Sequence, residues 1–250
     1  MPDALLSLDS VSKSYWRGPS EVRVLSDACL ELHAGEFMGV WGRRGAGKTT
    51  LLRIAAGLET PDRGTVRFDG EDLSLLSEQG HARLRRDEIG WIRRSGPRSE
   101  LCILDYVALP LLIEHGQREA KRRADRALRR VGMAECAGQH WESLSDGERA
   151  LVAIAHGIAR RPRLLLIDDP TANLGVRERE EIMILLRALV EETNLAVLMT
   201  VPDMPTALRS HQLRALSGGR LLTPPPDGRD DGDDGDEDNV IDFPGIQRSA

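Results

Sequence analysis

Eight residues hold the densest chemistry in the chain: Gly42-Arg43-Arg44-Gly45-Ala46-Gly47-Lys48-Thr49. They match the pattern G-x-x-x-x-G-K-[ST], in which backbone N–H groups converge on an anion. Lys48 has the reach to meet outer phosphates, and the Thr49 hydroxyl is a hard oxygen suited to magnesium. A second acidic station lies downstream, where Arg163-Leu164-Leu165-Leu166-Ile167 runs into Asp168. An acid at the carboxyl end of a buried strand is where an open α/β sheet presents its ligands. Aliphatics followed by Asp form a weak signal alone and a strong one behind a glycine loop. A third station is Ser145-Asp146-Gly147-Glu148, with Ser145 at an N-cap and Glu148 three residues on, a capping box.

Defined elements must position these stations. The apolar run Glu36–Trp41 enters the glycine loop as a buried strand, and Thr50–Ala56 leaves it as a helix. Strand, loop and helix together give the loop its meaning; the bland alternative is a glycine turn that merely joins the two. Residues 4–9 and 22–41 predict a β-rich start, with Tyr15 and Trp16 placed on its first turn. Thr65–Phe68 alternates and predicts an exposed or edge strand. Residues 72–87 are basic and helical in composition, Glu88–Ile92 reads as a short strand, and Ile103–Ile113 as an apolar helix. Gln117–Val131 predicts a charged helix whose arginines Arg122, Arg123, Arg126, Arg129 and Arg130 read most simply as a solvated face. The capped helix runs to Arg161-Pro162, where proline stops it. A helix over 177–192, a strand over Leu195–Thr200 and short strands near 211–222 follow. Strands alternating with helices imply an α/β fold with a mainly parallel sheet, a β-rich subdomain and a helical insertion over about 72–160.

Composition narrows the setting. The chain has 250 residues, 40% of them hydrophobic, enough for one large domain. No apolar run approaches the roughly 18 residues of a membrane helix, and Met1–Leu5 lacks signal-peptide features. Cys29, Cys102 and Cys136 form no C-x-x-C pair, which suits a reducing, cytosolic setting. The net charge of −6 comes from the tail: residues 223–250 hold nine acids and two arginines, −7, leaving +1 for the rest. Pro224 to Asp238 has almost nothing to bury and is expected to stay disordered. Val240-Ile241-Asp242-Phe243-Pro244 is a candidate docking motif, and a solubilising tail is the simpler alternative. These features divide the chain into a domain over 1–222 and a tail over 223–250. No basic patch dominates the whole chain, so nucleic acid is not an expected partner.

The stretch Ser143–Glu148 with Val152–Ala155 and Arg161-Pro162 resembles the signature motif of ABC transporter ATPase subunits. So does Leu164–Leu174. In Asp69–Leu73, Leu84–Gly90 and Asp105–Leu112 the chain is similar to the export subfamily of lipoprotein-releasing, macrolide-export and cell-division ATPases. The resemblance spans about residues 4–220. It implies the phosphate-loop NTPase core of the ABC ATPase fold, with ATP and Mg2+ bound by Gly42–Thr50. It implies Tyr15 stacked on adenine, and Thr49 and Asp168 on the metal. Two cassettes, homo- or heterodimeric, would face head to tail, with Ser145–Glu148 of each meeting the other's γ-phosphate. An integral-membrane permease would dock near the helical insertion, leaving the chain peripheral on the cytoplasmic face of the membrane.

Departures from that family cluster at the γ-phosphate end. Asp169 stands where a glutamate polarises the attacking water, Val201 where a histidine stands, and Arg94 where a glutamine meets magnesium. Asp146 replaces a glycine of the signature, and Gly175 replaces an aspartate. Arg43 and Arg44 add charge to the loop. A methylene lost at the water-orienting position predicts slow hydrolysis, since misplacement by about 1 Å can cost around a hundredfold. An ion pair between Arg44 and Asp146 across the dimer is one compensation the resemblance suggests. Two functions fit: an ATP-binding subunit that drives or gates a permease with weak hydrolysis, or a non-hydrolysing ATP-dependent scaffold or regulator of a membrane complex. A soluble ATPase acting on ribosomes or DNA fits less well, because tandem cassettes and long coiled-coil insertions are missing from this sequence.

Overall fold

The structure is a computed structural model that describes residues 3–93, 101–171 and 173–223. Strands β1 (Leu6–Arg17) and β2 (Ser20–Leu32) form a long antiparallel hairpin. Strand β3 (Phe37–Trp41) feeds the glycine loop, and helix α1 (Lys48–Ala55) leaves it. Strands β4 (Arg63–Phe68) and β5 (Glu71–Asp72) complete the antiparallel sheet, ordered β2-β1-β4-β5. Helix α2 (Glu78–Asp87), strand β6 (Ile89–Ile92), and helices α3 (Ile103–Ala108), α4 (Gln117–Arg130) and α5 (Asp146–Ile158) follow. Strand β7 (Leu164–Asp168), helix α6 (Val176–Thr193), strand β8 (Ala196–Val201), the short helix α7 (Met204–Ala207) and strands β9 (Gln212–Ser217) and β10 (Arg220–Leu222) complete the described residues.

The second sheet is ordered β10-β9-β3-β8-β7-β6, parallel except at β10. Strands β7 and β8 are covered on both faces, which is why they read as unbroken aliphatic runs. Their side chains divide with period two. Leu164, Leu166, Ala196 and Leu198 pack with Leu51, Leu52 and Ile54 of α1 and with the antiparallel sheet. Leu165, Ile167, Val197 and Met199 pack on the opposite side with α5 and α6. Arg163 ties the two sheets from outside, donating to both Asp69 oxygens at 2.7 and 2.9 Å.

Several details differ from the sequence expectation. Tyr15 and Trp16 lie within β1, because the hairpin turns one step later at Gly18-Pro19. The strand over Thr65–Phe68 begins at Arg63, and Val66 and Phe68 are buried against β1. The helix from Ile103 ends at Ala108 and gives way to a 3-10 turn over Leu109–Leu111, where Pro110 supplies no backbone donor. The span 72–160 is not purely helical: β6 lies inside it and pairs parallel with β7. Arg94 and residues 224–250 fall outside the described residues.

Candidate functional site

The glycine loop is shaped by its neighbours. Gly45 and Gly47 have φ of 85° and 101°, a region that L side chains avoid. A Cβ on Gly47 would stand 2.8 Å from the Val24 carbonyl oxygen, and one on Gly42 would stand 2.6 Å from that of Leu216. The loop is thus held against β2 on one side and the end of β9 on the other. The Arg43 carbonyl accepts from the Ala46 N–H at 3.1 Å. Lys48 donates from Nζ to the carbonyl oxygens of Gly42 at 2.5 Å and Arg43 at 3.1 Å. Burial lowers its pKa, and the carboxylates of Asp169 and Asp168 oppose that shift.

Asp168 stands across the loop at the end of β7. It accepts from Thr49 Oγ1 at 2.9 Å and from Thr200 Oγ1 at 3.1 Å. The pair Thr49 and Asp168, 119 residues apart, meets because β7 and the loop strand emerge on the same edge of the sheet. Beside them lies a cavity of about 400 Å3, lined by Arg44, Gly45, Gly47, Thr50 and Asp169 with Lys48, Thr49 and Asp168. Tyr15 closes its outer side. Its hydroxyl donates to Glu59 and lies 3.3 Å from Thr50 Oγ1, so the ring is held in place. Burial and the Glu59 carboxylate raise its pKa.

Ser145–Glu148 does not line this cavity. Ser145 caps α5, accepting from the Glu148 N–H at 3.2 Å, while Glu148 Oε2 accepts from the Ser145 N–H at 2.8 Å. Asp146 pairs with Arg149 at 3.2 Å. Both border a separate small cleft with Arg93, Trp141 and Asn173. Gly147 packs on Glu178, where a Cβ would come within 2.9 Å of Oε1. The other Glu178 oxygen accepts from the Gly175 N–H at 2.9 Å. Of the remaining departures, Val201 is 0% exposed and belongs to the core beside α6. Asp169 sits at φ 46°, a backbone setting where Asp is several-fold enriched. Arg43 and Arg44 are exposed, without a side-chain hydrogen bond or ion pair among the described residues. Glu59, Thr200 and Glu178 were not singled out by sequence reasoning; only Glu178, three residues after Gly175, had a visible capping signal.

The glycine loop, the acid at the end of β7 and the capped helix together define a nucleotide-binding cassette. Residues 25–172 match the ABC transporter family, and the chain belongs to it. The chain is 38% identical over 221 residues to the lipoprotein-releasing system ATP-binding protein LolD of Pseudomonas syringae pv. tomato, covering 88% of this chain and 97% of that one. It is 35% identical over 225 residues to LolD of Ruegeria sp., with 89% and 99% covered. Among solved structures it is similar to the dimeric ATP-binding cassette MJ0796 bound to ADP and Pi. That match has a TM-score of 0.78 at 30% identity, over 86% of this chain and 96% of the other. Among the described residues no helix is long and apolar enough to cross a membrane.

Proposed function

We propose that the chain is the ATP-binding subunit of an ABC complex of the lipoprotein-releasing kind, which clamps Mg-ATP between two cassettes and hydrolyses it slowly. The Thr49–Asp168 contact at the rim of the cavity carries the nucleotide reading. A hydroxyl and a carboxylate converging beside a phosphate cradle are the oxygen donors that magnesium takes. Those two residues would hold the ion, which when bound offsets phosphate charge. Lys48 would turn from the loop carbonyls to the outer phosphates, and Tyr15 would lie against the base.

The separation of Ser145 from the cavity supports a two-cassette site, completed by a second copy or another chain, as does the dimeric MJ0796 relative. The LolD relatives support an integral-membrane permease as the further partner and a peripheral place on the cytoplasmic face. Slow turnover rests on Asp169, one methylene shorter than the glutamate the resemblance places there, and on Val201, whose aliphatic side chain is buried and can orient nothing. The test is steady-state phosphate release by the full chain and by Asp169→Glu. We expect at least a tenfold rise in kcat with little change in KM; equal or lower kcat in the variant contradicts slow turnover by Asp169. The scaffold reading, favoured by the same buried Val201, predicts ATP binding with no phosphate release above background from wild type.

A further inference from the structure

A cavity of about 600 Å3 lies away from the nucleotide site. It opens between α4, the end of α5 and the corner joining α6 to β8. Its floor is apolar, from Ala127, Ile158, Leu189 and Leu195, and its rim carries five arginines. Arg123, Arg129 and Arg130 each pair with a carboxylate, from Glu119, Asp125 and Glu192 respectively. Arg126 and Arg161 are exposed and have no acidic partner among the described residues. Among the described residues no acid lines the cavity. Its size falls within the roughly 300–1,000 Å3 of sites that enclose a ligand. The solvated-face reading of α4 does not account for it, because Arg161 arrives from another element and faces the same opening.

We propose that this cavity receives the chain's own acidic tail, with the last acids of the run, Asp233–Asp238, along the arginine rim and Val240–Phe243 on the apolar floor. Charge complementarity selects this occupant. Residues 223–250 carry a balance of −7 against +1 for the rest, and their one apolar cluster directly follows the acidic run. The reach also matches. Thr223 follows β10, four strand spacings from β7, into which Pro162 at the cavity's edge leads, a sideways separation of about 19 Å at roughly 4.8 Å per strand. Sixteen residues lie between Thr223 and Val240, and a random coil of that length has an average span of about 22 Å. A tether matched to the span gives an effective concentration in the millimolar range, so a weak contact suffices. Seated there, the tail joins α4 to the α6–β8 corner at the end of α5 opposite Ser145.

The test is a photo-cross-link in the full chain, with benzoylphenylalanine in place of Phe243. The product is mapped by mass spectrometry, and own-chain links are separated from inter-chain links by gel mobility. We expect an own-chain link to α4, to residues 158–162 or to residues 189–195, with a yield independent of protein concentration. Arg126→Glu with Arg161→Glu should cut that yield at least fivefold, whereas Arg126→Lys with Arg161→Lys should keep most of it. Raising salt to about 1 M should also suppress the link in the unaltered pocket, where folding of a variant is not at issue. Links mapping elsewhere, links only between chains, or a yield indifferent to both salt and charge reversal would each overturn the proposal.

Discussion

At Asp169 the backbone itself limits the side chain. The left-handed φ of 46° suits Asp better than Glu, so Asp169→Glu should speed turnover at a cost of a few tenths of a kcal/mol in stability, read by urea unfolding. Val201→His is a different matter. The position is fully buried among aliphatics, and an imidazole without a partner there should cost about 1–3 kcal/mol. Restoring the γ-phosphate end therefore begins at 169. His156 is a second residue where burial decides behaviour. It stacks on Tyr106 with centroids 4.6 Å apart, and burial pushes its pKa down to about 4. The unfolded chain takes up this proton near pH 6.5 while the native state refuses it. Native stability is therefore whole above pH 6.5 and is lost as pH falls from 6.5 towards 4, by about 3 kcal/mol in all. His156→Phe keeps the stack and should remove that part of the slope in urea midpoints measured between pH 7 and 4.5. An unchanged slope would place His156 in a wetter site.

Helix α5 carries the capped Ser145–Glu148 turn at one end and lines the arginine cavity at the other. Its start depends on the reciprocal cap between Ser145 and Glu148. Ser145→Ala should cost about 1 kcal/mol in urea unfolding, whereas Glu148→Gln, which still completes a capping box, should cost under about half that. Equal losses would mean that the carboxylate charge, not the cap, supports the helix. This cap was legible in the sequence, as were the glycine loop and β7, because each is a pattern of near neighbours with one local physical cause. The partners of those patterns were not. Tyr15 and Glu59 are 44 residues apart, and Thr200 reaches Asp168 across 32. Only the packing of sheet and helices brings them together. Likewise the α4 arginines read as a solvated face until Arg161 joins them. Pro110 was visible, yet its effect of ending α3 early depends on where the next turn packs.

For the whole molecule, the contact between the two sheets at Arg163 and Asp69 adds a small acid-sensitive contribution. The arginine holds the Asp69 carboxyl below its usual range. A depressed native pKa adds stability above the unfolded value near 4 and loses it as pH falls through the native value. Both side chains are about half exposed, so the pair is worth under about 1 kcal/mol. Asp69→Asn should show that small loss at pH 7 and a shrinking one as pH falls below about 4, with ATP affinity unchanged. The larger division is between the intact cradle and the altered γ-phosphate end. Thr49 and Asp168 meet at the rim of the cavity that Lys48 also lines, while the proposed slow turnover rests on Asp169 and Val201. The most direct measurement puts both halves on one preparation of the full chain: equilibrium ATP binding with and without magnesium, alongside phosphate release. The account predicts magnesium-dependent ATP binding, lost in Lys48→Ala, with release at least tenfold slower than that of Asp169→Glu. Absent ATP binding, or wild-type release matching the glutamate variant, would contradict it.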